Sequence, residues 1–196
     1  MRRSRHGDAG QAFPIYITVV GGLLFLAFAY LAVGQAAANR SDAQTAADAA
    51  ALAAAQDRRD KLADAWTANL NDPTTWLDIF DGDAGVLGPS CGRAYELAAA
   101  NNATVQDCTP DGLLGFTVEV QTNHTVGESI VPGTEDFKSS ERATAVIEAR
   151  CTFELPEVEE DLPLLTCKGT PWKLDPDGPV DLLPQPEDLF DVHLAD

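Results

Sequence analysis

The residues of this 196-residue chain whose type and spacing define chemistry most sharply are its four cysteines, Cys91, Cys108, Cys151 and Cys167. They contain no Cys-x-x-Cys. An even set of this kind in an oxidising compartment reads as two disulfides, with three connectivities open. The flanking pattern favours one. Residues 92–101 read as a short helix, which advances about 15 Å. Thr104 to Cys108 reads as a strand, which returns about 17 Å. The ends at Cys91 and Cys108 can therefore meet, leaving Cys151 and Cys167 to close across the acidic loop between them. The expected pairs are Cys91–Cys108 and Cys151–Cys167.

Other chemistries find less support. Asp81-Gly-Asp83-Ala-Gly85 is similar to the start of a calcium loop, but Val86 and Gly92 occupy the positions that need Gly and Glu, so a polar turn is the better reading. His6, His124 and His193 are scattered, and no cofactor or metal is expected. There is no Gly-rich phosphate loop and no Gly-x-Ser-x-Gly elbow. Carboxylates are abundant, yet nothing singles out a catalytic pair. Asn102-Ala-Thr104 and Asn123-His-Thr125 fit the glycosylation sequon, a match of low information. The expectation is a protein that is not an enzyme. A net charge of −18 also argues against nucleic acid, because phosphate binding needs a Lys/Arg surface. That acidity suits solubility first, and a basic partner or cations second.

The elements that position these residues begin with a charge-free run, Phe13 to Val33. As a helix it is about 30 Å long, enough for a bilayer core. Tyr16 and Tyr30 suit the interfacial belts, and Pro14 sits where a missing N–H matters little. Arg2, Arg3 and Arg5 precede the run, which predicts a cytoplasmic amino-terminus and an extracytoplasmic carboxy-terminal bulk, in the cell membrane with one span. The cysteines then fall on the oxidising side. A secretory signal cut near Ala36-Ala37-Ala38 is the alternative, but the run exceeds the usual signal core. The leader MRRSRHGDAG ends in Gly immediately before the apolar segment. That layout resembles prepilin-type precursors, which are cut after such a Gly, here between Gly10 and Gln11; the alternative is a simple topogenic leader.

Beyond Gly34 helix propensity stays high and no proline occurs before Pro73. Ala43, Ala46, Ala47, Ala50, Ala53 and Ala54 form a small-residue stripe. It fits packing on the chain's own domain and packing on other chains equally well. Asp57, Arg58, Arg59, Asp60, Lys61 and Asp64 read as a solvated, mixed-charge face.

The order of basic leader, Gly10, charge-free span and Gln44-Thr-Ala-Ala-Asp48-Ala-Ala-Ala-Leu52-Ala-Ala-Ala55 resembles the amino-terminal module of TadE/TadG-like proteins of the tight-adherence (Flp) pilus assembly system. The resemblance implies a pseudopilin-like or accessory membrane component of a pilus or secretion apparatus. Longer TadG proteins carry an adhesion-type domain with a metal site. This chain is too short for one and lacks Asp-x-Ser-x-Ser, so that activity is not carried over. Ile15 stands where pilins of this kind place Glu, which points to an accessory role rather than a major filament subunit. Ala47, Asp48, Ala51 and Leu52 are the expected helix-contact residues. The expected partners are the bilayer, other pilus or secretion-system membrane proteins, and further copies of the chain.

The remainder predicts a small α+β domain. Thr104–Cys108, Phe116–Thr122 and Ala143–Phe153 read as strands of an antiparallel sheet packed on helix, with Ala143, Ala145, Ile147, Ala149 and Cys151 inward. Residues 71–90 read as turns, and 127–140 as a loop. From Glu154 onward the chain is acidic and proline-rich, and after Cys167 it reads as an extended tail with Leu182, Leu183, Leu189 and Phe190 as spaced apolar points. The expected organisation is leader 1–12, transmembrane helix 13–34, alanine-rich helix 35–70, disulfide-bonded domain 71–167 and acidic tail 168–196. The function expected is a single-pass component of a Flp/Tad-type system acting through helix packing. The alternative is a membrane-tethered extracytoplasmic binding domain unrelated to pili.

Overall fold

A computed structural model of the chain describes residues 12–125, 136–155 and 162–195. The expected cut between Gly10 and Gln11, and Pro132-Gly133 of the expected 127–140 loop, lie outside the described residues. Helix α1, Ala12–Ala68, is one unbroken element of 57 residues, about 85 Å at the standard rise. Its continuity follows from the absence of any proline between Pro14 and Pro73. It ends where Asn69 N–H reaches back to Ala65 O (3.1 Å) and Asp72-Pro73 starts a 3-10 turn, Pro73–Thr75. Short α2, Trp76–Phe80, follows. It lies inside the stretch read from sequence as turns only.

Helix α3, Cys91–Ala100, buries Ala94 and Ala98. Strands β1 (Ala103–Pro110), β2 (Gly115–Thr122) and β3 (Ser140–Ala149) then form an antiparallel sheet. Val118, Val120, Ala145 and Ile147 are buried, as period-two alternation requires. The opposite face is polar. Across β2 and β3 the Thr117 and Thr144 hydroxyls meet at 2.8 Å, Arg142 Nη2 donates to Glu119 Oε2 at 2.6 Å, and Gln121 Nε2 donates to Ser140 Oγ at 3.3 Å. One face packs and the other meets water, as an antiparallel sheet permits. Ala149, expected inward, is exposed, because β3 ends there and the chain turns at Arg150 into a second sheet. That sheet contains β4 (Cys151–Thr152), β5 (Leu165–Cys167) and β6 (Thr170–Trp172). The β5–β6 turn uses Lys168 and Gly169, both at positive φ (49° and 80°), the signature of a tight two-residue hairpin.

The extended tail expected from residue 168 is corrected by the structure. Pro186–Leu189 forms a short helix, α4, and Phe190–Leu194 forms β7, which pairs antiparallel with β3 and completes the order β1-β2-β3-β7. Leu183, Leu189 and Phe190 are buried, whereas Leu182 is exposed. Arg150 fastens the tail: its Nη1 donates to Glu187 O at 2.9 Å, its Nη2 pairs with Asp191, and its N–H donates to Leu189 O at 2.8 Å. Proline-rich composition hid this because Pro176, Pro179 and Pro184 all precede α4, and Pro186 sits at its start, where a missing N–H is tolerated.

The core changes character along α1. Near the apolar run, Ala46, Ala47, Ala50, Ala51 and Ala54 have no exposed surface and lie in one cluster with the sheet. Further on, Leu62, Trp66 and Leu70 meet an aromatic group. Trp66–Trp76 centroids are 5.3 Å apart, Trp76–Phe153 5.2 Å and Phe80–Phe190 5.5 Å. Small side chains let the sheet approach the helix closely at one end, and bulky ones fill the wider space at the other.

Candidate functional site

The functional candidate is α1 itself, and its residues divide into three zones. In the first, Phe13 to Val33, the large apolar side chains stand exposed: Tyr30 is 82% exposed, and Phe25 and Leu26 are likewise uncovered. Among the described residues this is the one helix long and apolar enough to cross a membrane, and its most apolar window has no residue buried by the rest of the chain. A Cβ added at Gly21 or Gly22 would meet nothing within 4 Å, so their helix face is open to a neighbour.

The second zone is the junction, Gly34 to Asp42. Asn39 is only 3% exposed. Its Oδ1 accepts from Ser139 N–H at 3.2 Å and from Thr122 Oγ1 at 3.3 Å, and its Nδ2 donates to His124 O at 3.5 Å. Arg40 Nε donates to Glu141 Oε1 at 2.8 Å, and His124 Nε2 lies 3.4 Å from Asp42 Oδ2. These contacts tie both ends of the β2–β3 connection to the helix just past the apolar run.

The third zone holds the expected helix-contact residues. Ala47 and Ala51 are fully buried, and α1 packs on β3, α3 and β2. The partner that the structure gives Ala47 and Ala51 is therefore the chain's own core, a single cluster that holds residues of α3 and of the sheet. Of the two packings the alanine stripe left open, the intramolecular one is present. Asp48 and Leu52 are half-buried. Asp48 Oδ1 accepts from Gln44 Nε2 at 2.7 Å, and both border an open cleft of about 440 Å³ with Arg142, Thr144 and Leu194. The Arg142 guanidinium is held above its usual pKa by its hydrogen bond to Glu119 and by that carboxylate's charge.

Sequence reading missed a clamp further along. Lys61 Nζ donates to Asp57 Oδ2 (2.5 Å), Pro89 O (2.8 Å), Gly88 O (3.2 Å) and Ser90 Oγ (3.3 Å). Arg58 Nη2 donates to Gly82 O at 3.1 Å. Burial lowers the Arg58 pKa, and the Asp83 charge opposes that shift. The mixed-charge face is thus corrected: two of its cations pin the 81–90 loop onto α1. Only the Asp57/Lys61 spacing of four hinted at order here. Within that loop Asp81–Gly85 forms a turn. Gly82 is at φ +90°, and a Cβ there would lie 2.8 Å from Leu113 Cβ and 2.9 Å from Leu114, so glycine is required. Among the described residues no three His, Cys, Asp or Glu side chains group as metal ligands.

The structure contains the disulfides Cys91–Cys108 and Cys151–Cys167. The first fastens the start of α3 to β1. The second joins directly paired residues of β4 and β5.

Residues 10–57 match the model of a family described as putative Flp pilus-assembly TadE/G-like proteins. The match begins before the apolar run and ends just past the alanine stripe, so it covers the exposed span, the junction and the buried alanines together. No curated protein matches the chain. No solved structure matches it either.

Proposed function

We propose that the chain is a single-pass membrane component of a Flp/Tad-type pilus assembly or secretion system, pseudopilin-like or accessory and not an enzyme. Its amino-terminus is cytoplasmic, its folded domain extracytoplasmic, and it acts by contacts with other membrane proteins of the system or with further copies. The observation that carries this reading is the family match over residues 10–57, placed on a helix whose first half is apolar and uncovered. Because Ala47 and Ala51 are consumed by the chain's own core, the surface left for partner helices is the span from Phe13 to Val33. Ile15, in place of an acidic residue, favours the accessory role.

A second reading, a tethered binding domain with the helix as stalk, draws support from the same buried alanines, which make residues 43–55 part of the domain. Deleting the gene and scoring piliation tests both. The first reading expects loss of pili, restored by the wild-type chain but not by a chimera with an unrelated apolar span in place of residues 13–34. Rescue by the chimera favours the stalk. Unchanged piliation on deletion overturns the pilus role.

A further inference from the structure

Asn39 lies six residues beyond Val33, the last residue of the apolar run, which is about 9 Å along a helix. Through Asn39 the β2–β3 connection is held at that level, since Ser139 N–H donates both to Asn39 Oδ1 and to Thr122 Oγ1 at 3.2 Å. Both acceptors are buried: Asn39 is 3% exposed and Thr122 1%. Two residues before Ser139 stands Phe137, 61% exposed, followed by Lys138. Two extended residues reach about 7 Å, comparable to the roughly 5–8 Å of headgroup region on each side of a hydrocarbon core about 30 Å thick.

We propose that this end of the β2–β3 connection rests on the bilayer, with the Phe137 ring seated in the interface of the leaflet from which α1 emerges. This rests on the reading of Phe13–Val33 as a membrane span. The occupant is the apolar–polar boundary of the lipid, not a charged headgroup. Among the described residues the charges at this end are Arg40 and Lys138 against Asp42, Asp136 and Glu141, and Arg40 is already paired with Glu141. With no cationic excess, attraction to anionic lipid is not the driving force, and an aromatic ring at the interface is. Two supports, α1 and Phe137, then fix the tilt of the domain, where a helix alone would let it swing.

The test uses the full chain in phosphatidylcholine vesicles with and without brominated acyl chains. Tryptophan is placed singly at Phe137→Trp, Tyr30→Trp and Leu113→Trp. Leu113 lies in the β1–β2 turn, at the opposite end of β2 from Thr122, and the native Trp66, Trp76 and Trp172 give a common background. The added emission of Phe137→Trp is expected to fall about twofold in brominated vesicles, as an interfacial ring would. Tyr30→Trp is expected to fall as well, and Leu113→Trp to hold. Quenching of Tyr30→Trp without Phe137→Trp overturns the proposal and leaves the span standing. Quenching at neither position overturns the span as well. Quenching at both 137 and 113 removes the specificity of the contact and overturns it. Quenching of Phe137→Trp only when phosphatidylglycerol is added overturns the apolar assignment in favour of Lys138 and Arg40.

Discussion

Asn39 and Thr122, 83 residues apart, share a hydrogen bond of 3.3 Å in a site closed to solvent. The bond joins the helix, just after its apolar run, to the end of a central sheet strand. Each partner also serves the Ser139 N–H, so one small polar cluster fastens the sheet to the helix just past its apolar run.

Replacing Asn39 by Leu removes the acceptor for two donors while keeping the volume. Ser139 N–H and the Thr122 hydroxyl keep only each other and His124 O. Loss of such buried bonds destabilises by about 1–3 kcal/mol. Thermal unfolding of the full chain in detergent is expected to show a melting point lower by several degrees. An unchanged melting point would show that water replaces Asn39 without loss, and the junction would then be solvated.

The sheet's first three strands were legible because Phe116–Thr122 and Ala143–Ile147 alternate cleanly, and α1 because no breaker interrupts it. The direction of the alanine stripe was not. A stripe of methyl groups drives little burial by itself and admits any close surface, so sequence could not say whether Ala47 meets its own core or another chain. Asn39 and Lys61 were equally opaque. A lone polar residue on a helix has a solvated reading by default, and only the 85–100-residue reach to His124 and Ser139, or the loop folded back onto Lys61, gives either residue its role. Strand β7 was lost because five residues after a run of prolines carry too short a pattern to outweigh the composition around them.

The burial of Ala47 sets up a second test. Ala47→Leu adds three carbons where no surface is exposed, and overpacking of this kind destabilises by about 1–3 kcal/mol. Ala36→Leu, on the exposed junction, stays within about 0.5 kcal/mol of the parent. Thermal unfolding of both variants in detergent reads the difference. If Ala47→Leu melted like the parent yet failed to restore piliation in a deletion strain, the residue would be a contact for another chain and the intramolecular packing would be wrong.

The carboxy-terminal segment offers the sharpest contrast, because its two readings predict opposite results for one residue. Phe190 is 1% exposed, packs on Phe80 at 5.5 Å and begins the strand that pairs with β3. Truncating a buried Phe to Ala costs about 3–5 kcal/mol, a large part of the roughly 5–15 kcal/mol that holds a domain folded. Leu182→Ala, at 72% exposure in the same segment, is expected to change stability by less than about 0.5 kcal/mol. Denaturant titration of the full chain, followed by near-ultraviolet circular dichroism of the Trp66–Trp76–Phe153 cluster, reports both. Removal of residues 186–196 should act at least as strongly as Phe190→Ala, since it also takes away Leu189 and the partners of Arg150. Neutral outcomes for Phe190→Ala and for the truncation would return the segment to solvent and leave β3 as the edge of a three-stranded sheet.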